Sequence, residues 1–278
     1  MIRSIFRPRL GSILALAAIL ALATVAGLSV PDQPAAEAQD GIGCGDTIGP
    51  WEFGKLDSDL SCDSSTNPAL TVVGPAVLDL NGHTVSCAVG TGDVHAAPVE
   101  PVGQIGILVK GIGAIVKNGQ VTGCVDGVVV GEAVDPVSVD GSPGGFHVVA
   151  NLEVTDSAVN LTGIVVNSDR NLIAYNNVHD NDSTGILVNG NFNVLKKNTV
   201  QSNSGDGIGV AGHRNLVASN TTNNNADDGI DVDGQNNVIK FNNSSGNTDW
   251  DMEDGNTDCD SNVWGFNTFG DANQTCIG

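Results

Sequence analysis

The chain has 278 residues, with 36 Gly, 11 Lys+Arg against 32 Asp+Glu, and only 4% aromatics. Gly, Asn, Asp, Val and Thr recur where a helical bundle would need Ala, Leu, Glu, Lys and Arg, so a helix-built core is excluded. A formal charge of −21 excludes a protein that grips the phosphate backbone of nucleic acid, which needs clustered cations.

The first 38 residues carry the marks of an export signal. Arg3, Arg7 and Arg9 precede an apolar run from Ile13 to Leu28, and Ala36-Glu37-Ala38 offers a small-x-small cleavage site. The run is short for a membrane span of about 20 residues, so cleavage after Ala38 is expected in preference to an uncleaved anchor. Loss of three Arg and two acids leaves 8 cations against 30 anions, a net −22. That suits a secreted protein, extracellular or periplasmic, with no membrane contact once the signal is gone. Residues 39–65 are read as an N-terminal cap and 66–278 as the main domain, with a C-terminal cap from about 249.

Six cysteines follow, Cys44, Cys62, Cys87, Cys124, Cys259 and Cys276, with no C-x-x-C pair among them. An even count in an exported chain points to disulfides over metal thiolates.

From residue 161 the chain repeats every 22 residues. Gly163, Gly185, Gly207 and Gly229 are each followed by Ile and, two residues on, by Val. Such a G-I-x-V unit is a short strand with Ile and Val on one face. A second apolar pair recurs as Leu172-Ile173, Val194-Leu195, Leu216-Val217 and Val238-Ile239. Three columns are Asn in all four repeats: Asn171/193/215/237, Asn176/198/220/242 and Asn181/203/225/247. Asn tolerates the left-handed backbone of tight corners, and stacked Asn side chains can form a ladder of amide hydrogen bonds.

A unit this small buries its apolar face only by stacking on copies of itself. The Leu signature of a leucine-rich repeat is missing, and 22 is not a multiple of six, so hexapeptide helices are excluded. The expected fold is all-β, a right-handed parallel β-helix of roughly nine coils. Stretches near 88–103 and 131–145 read as loops inserted between coils. Cys87 and Cys124 each lie six residues after the Asn of an Asn-Gly pair, so stacked coils bring them within bridging distance. Cys44–Cys62 and Cys259–Cys276 would staple the two ends.

On Cys44…Cys62, the phrase Leu78-Asp79-Leu80-Asn81-Gly82-His83-Thr84-Val85 and the G-I-x-V…Asn repeats, the chain resembles the secreted parallel β-helix proteins of the pectin-lyase-like superfamily. It is most similar to the β-helix-repeat group that includes the NosD-type periplasmic proteins. The resemblance spans about 41–278 and implies a polysaccharide or cell-surface glycan as partner, met on the outer face of the G-I-x-V sheet. It implies neither one activity nor catalysis as such. The hydrolase order of N-T-D, D-D, G-H-G and R-x-K is not kept, since Asp227-Asp228 follows Gly212-His213-Arg214.

Acids gather on the expected outer face at Asp206, Asp228, Asp231 and Asp233, where close like charges raise a pKa or recruit a cation. These are the candidate catalytic carboxyls, with His213 or Arg214 as proton acceptor or charge neutraliser. Asp249, Asp251 and Glu253 are candidate ligands for Ca²⁺, the cofactor such oxygens suit. Arg170 and Phe192, with Lys196, are candidate substrate contacts, since Arg pairs bidentately with carboxylates. The two readings are a β-helix that recognises and cleaves extracellular polysaccharide, and a non-catalytic surface or adhesion module.

Overall fold

A computed structural model describes residues 38–39, 41–88, 104–131, 144–157 and 162–278. Residues 1–37 of the expected export signal and most of both expected inserted loops lie outside them. The chain winds as a parallel β-solenoid, and every strand pairing in it is parallel. One sheet has nine strands, one per coil, and includes Ile164–Val166, Ile186–Val188, Ile208–Val210 and Ile230–Val232. Eight of the nine follow residue 66; the ninth, Thr47–Ile48, belongs to the segment expected as a cap and pairs with Leu70–Gly74.

The remaining strands form two faces joined into one sixteen-stranded sheet. The join is made by Ile115–Thr122 and Val148–Thr155, eight-residue strands that run through the corner separating the faces. One face carries Leu172–Ala174, Val194–Lys196, Leu216–Ala218 and Val238–Lys240, and is called the basic face below. The other carries Asn177–His179, Thr199–Gln201, Thr221–Asn223 and Asn243–Ser245.

The period-2 alternation of a strand decides what fills the interior. Ile164, Ile186, Ile208 and Ile230 stack in register with Val166, Val188, Val210 and Val232 beside them, all essentially inaccessible. From the second apolar pair only Ile173, Leu195, Val217 and Ile239 point inward. Each repeat glycine sits where coils approach too closely for a side chain. A Cβ on Gly163 would stand 2.7 Å from the carbonyl oxygen of Gly185 and 2.6 Å from Val178 Cγ1.

The Asn176 and Asn181 columns form buried side-chain amide ladders. In the Asn171 column the coils above Asn193 are linked by backbone N–H groups donating to Asn Oδ1, and among the described residues the Nδ2 groups of Asn193 and Asn215 are without a partner. Asn198 Nδ2 donates to Asn220 Oδ1 (3.0 Å) and to the Ile173 carbonyl (2.9 Å). Its Oδ1 accepts from the backbone N–H and the Nδ2 of Asn176, both at 3.0 Å. The left-handed conformation belongs to the residue before each Asn, not to the Asn itself: Arg170, Phe192 and Arg214 at one corner, Tyr175, Lys197 and Ser219 at the next, Asp180, Ser202 and Asn224 at the third. The buried amide holds the corner in place, and its neighbour takes the strained φ with its side chain outside.

Three disulfides close the chain: Cys44–Cys62, Cys87–Cys124 and Cys259–Cys276, with Cα separations of 5.4, 4.8 and 6.1 Å. At the C-terminal end the inward Val position is taken by Asp254, which is fully buried and accepts from Trp264 Nε1 (2.8 Å) and Asn262 Nδ2 (3.0 Å). A carboxylate there ends the apolar core and anchors the capping segment.

Each buried group left without its partner costs about 1–3 kcal/mol. Asn198→Ala, which orphans the Asn176 N–H and the Ile173 carbonyl, is therefore expected to lower unfolding free energy by at least about 2 kcal/mol in chemical denaturation. Ser202→Ala, at an exposed corner, is expected to change it by less than about 0.5 kcal/mol.

Candidate acidic site

The outward position of each G-I-x-V strand changes chemistry along the solenoid. In register it runs Val129, Val165, Leu187, Gly209, Asp231 and Glu253. At the strand entry Thr162, Thr184, Asp206 and Asp228 succeed one another at the repeat spacing. The last three coils thus bring carboxyls onto one face. Oxygens of Asp206, Asp227 and Asp228 lie within 4.8 Å of one another, and Asp228 hydrogen-bonds Glu253.

Backbone geometry fixes these side chains. Asp206 Oδ1 accepts the Asp228 N–H (3.3 Å), and Asp228 Oδ1 accepts the Trp250 N–H (2.7 Å). Thr184 Oγ1 donates to Asp206 Oδ2 at 3.5 Å. Among the described residues no Lys or Arg is ion-paired with the group. Burial raises the Asp206 carboxyl, and the backbone donor offsets that only in part. Asp231 is pushed up to about 7, first by burial and then by the charges of Asp233, Asp206 and Glu253. Asp228 is also raised well above the usual carboxylate range, by burial and by its hydrogen bond to Glu253. A protonated Asp228 therefore faces a Glu253 acceptor, with Asp231 changing protonation near neutrality beside them.

The other sequence candidates lie elsewhere. Asp251 points inward, accepting from Asn247 Nδ2 (2.9 Å) and Gly270 N (2.6 Å), while Asp249 is exposed on the preceding turn. Asp249, Asp251 and Glu253 consequently face three directions and do not form one ligand set. Glu253 instead completes the acidic group. His213 lies in the turn after its strand, where Nδ1 accepts the Gln235 N–H (2.8 Å) and its own N–H donates to Asn191 Oδ1 (2.9 Å). Arg214 is one residue further, at the corner, with its guanidinium 5.5 Å from the Phe192 ring centre. Neither residue bonds to the carboxyls. Arg170 packs on the same ring from the coil below, at 5.2 Å, and on Phe146 at 5.7 Å. Lys196 lies on the strand beyond that corner, exposed. His179, which has no obvious partner in the sequence, is held between Asp180 (2.7 Å) and Glu153 (3.1 Å).

The right-handed β-helix region family matches residues 103–255, more than half of the chain. No curated protein matches it at a significant level. Among solved structures it is similar to a mutant of the periplasmic alginate epimerase AlgG, with a TM-score of 0.58, 12% identity and coverage of 86% of this chain and 59% of that one. The Dettilon tailspike protein gives a TM-score of 0.52 at 19% identity, covering 84% and 51%. The A-module of mannuronan C-5 epimerase AlgE6 from Azotobacter vinelandii gives 0.50 at 15% identity, covering 73% and 63%. The chain thus spans about half to three-fifths of the length of these structures.

A carboxyl raised by folding binds a proton that the unfolded chain, with an ordinary value near 3.8, has already released. Between about pH 4 and 7 the native state therefore holds more protons, and stability falls as pH rises. The thermal midpoint is expected to drop across that window, and the drop to shrink in Asp231→Asn and Asp228→Asn, both more stable than the parent at pH 8. A midpoint independent of pH in the parent contradicts the site's electrostatics. By fold and family match, the chain belongs to the right-handed parallel β-helix proteins of pectin-lyase-like type.

Proposed function

We propose that this is an exported protein that recognises an extracellular polysaccharide on the outer face of the nine-stranded sheet and cleaves it with the acidic group. The observation that carries the reading is the pairing of carboxyls held protonated near neutrality, Asp228 and Asp231, with the carboxylates of Asp206, Asp233 and Glu253 alongside. One member can protonate a departing glycosidic oxygen while another, ionised, activates water or stabilises positive charge at the sugar carbon. The solved structures with the same fold include epimerases named for alginate and mannuronan, which supports a glycan as partner. Three disulfides support an oxidising compartment, extracellular or periplasmic.

The absence of a paired cation at the acidic group, among the described residues, favours hydrolysis of a neutral glycan over β-elimination. Elimination needs a cation or metal to neutralise the uronate carboxylate, and uncompensated acids repel such a chain. Were Ca²⁺ to serve here, Asp206, Asp227 and Asp228 have the oxygen donors it prefers.

The test incubates the disulfide-intact protein with neutral and uronic-acid polysaccharides, with and without Ca²⁺, following new reducing ends and the ultraviolet absorbance of unsaturated products. Reducing ends alone, from a neutral glycan, are expected, with activity falling as pH rises through about 7. Asp231→Asn and Glu253→Gln should each reduce the rate by about 10²-fold or more without loss of fold. Unsaturated product would replace hydrolysis with elimination. Silence across the panel, with the variants indistinguishable from the parent, would assign the protein to the non-catalytic surface or adhesion class.

A further inference from the structure

The few cations of this chain are not scattered. Eight Lys and Arg follow residue 38. Four of them, Lys55, Lys117, Lys196 and Lys240, occupy one register column of the basic face. Arg170 and Arg214 stand at the corner before that face and Lys197 at the corner after it. Only Lys110 lies elsewhere, on the nine-stranded sheet.

From residue 146 to 266 the outward strand positions of the basic face include no carboxylate, although the chain has 32 acids. At the corner before it Asp169 lies 4.0 Å from Arg170, and in the last coil Asp260 accepts from Gln235 Nε2 (2.7 Å). The positions between the cations are apolar. The outward members of the second apolar pair, Leu172, Val194, Leu216 and Val238, form a continuous half-exposed stripe that ends at Val263, 58% exposed. Aromatic rings edge it on both sides. Phe192, 43% exposed, lies between Arg170 and Arg214; Tyr175 carries Lys197 at 5.2 Å; and Phe241 stacks on Phe266 at 5.1 Å.

We infer that the basic face is a docking surface for a linear anionic polysaccharide bearing carboxylates, separate from the acidic group. Charge complementarity selects the sign of the partner, since a protein this acidic repels polyanions everywhere else. Arg170 and Arg214 are two coils apart, as are Lys196 and Lys240, a spacing of about 9.6 Å at about 4.8 Å per coil. That matches anionic groups recurring along an extended chain. Sugar rings are apolar on their C–H faces, and the Val/Leu stripe with its flanking rings offers them a surface to lie on. Cation–π contacts with Phe192 hold both guanidiniums at the corner. There Arg214 has no acidic partner among the described residues and Arg170 has only the long 4.0 Å contact with Asp169, so each can pair with a carboxylate.

This inference does not depend on the hydrolytic reading of the acidic group, and its test keeps them apart. The disulfide-intact protein is run in native gels containing polygalacturonate, its fully methyl-esterified neutral form, or duplex DNA. Retardation by polygalacturonate alone, weakening as salt is raised, is the expected result. Arg170→Gln/Arg214→Gln and Lys196→Gln/Lys240→Gln should each weaken binding by at least about tenfold with an unchanged thermal midpoint. Asp231→Asn should leave binding intact. The inference is overturned by absence of binding, by unaltered binding in both double variants, or by DNA bound as tightly as polygalacturonate. It is equally overturned if sedimentation shows self-association that the same variants abolish, which would make a second copy of the chain the occupant.

Discussion

The hydrogen bonds that each buried Asn makes to the coil above and the coil below are the constraint on which the remaining architecture rests. A parallel solenoid with strands of three residues has little backbone pairing per rung, and its corners would leave amides and carbonyls orphaned inside. Asn176, Asn198, Asn220 and Asn242 satisfy these groups through one continuous chain of side-chain bonds. Because the ladder fixes the register of the coils from about residue 171 onward, any residue type repeated at 22 there becomes a column in space. The columns are what function can use.

Much of this could be read from the residues. Invariant Gly-Ile-x-Val spacing gave the inward column, and the Asn spacing gave the corners, because periodicity in sequence maps directly onto stacking. The backbone role of Asn was less legible. The left-handed residue is its predecessor, and Arg170, Tyr175 and Asp180 carry no common signature for that conformation. Asp251 and Asp254 illustrate a second limit. They continue an acidic run that looks exposed, yet they turn inward to close the core, where hydrogen bonds from Gly270, Asn262 and Trp264 satisfy them. Glu253 between them faces outward by strand alternation alone.

The chemistry of the acidic group was partly visible as well. Its members could be placed on one face from the repeat, but the degree of burial and the Asp228–Glu253 hydrogen bond come from neighbouring coils and turns. The basic face was visible only in fragments: two Arg in one column, two Lys in another. That Lys55 and Lys117 continue the Lys196/Lys240 column was not visible, since they lie outside the regular repeat and join it only through strand register.

A solenoid whose coils are stacked in register thus gathers like charges into columns on different faces, with Asp79, paired with Lys117, and Asp169, beside Arg170, the carboxylates that meet the cations of the basic face. Titratable carboxyls concentrate at the C-terminal end of one sheet, and nearly all cations, with the exposed rings, line another. Association with an anionic glycan on one face leaves the other open, so that holding a matrix and acting on a neutral chain are compatible. Amine acylation followed by mass spectrometry, with and without polygalacturonate, tests this division of labour most directly. The account predicts protection of Lys196, Lys197 and Lys240 while Lys110 on the nine-stranded sheet reacts as before; equal protection of all four, or of Lys110 alone, would contradict it.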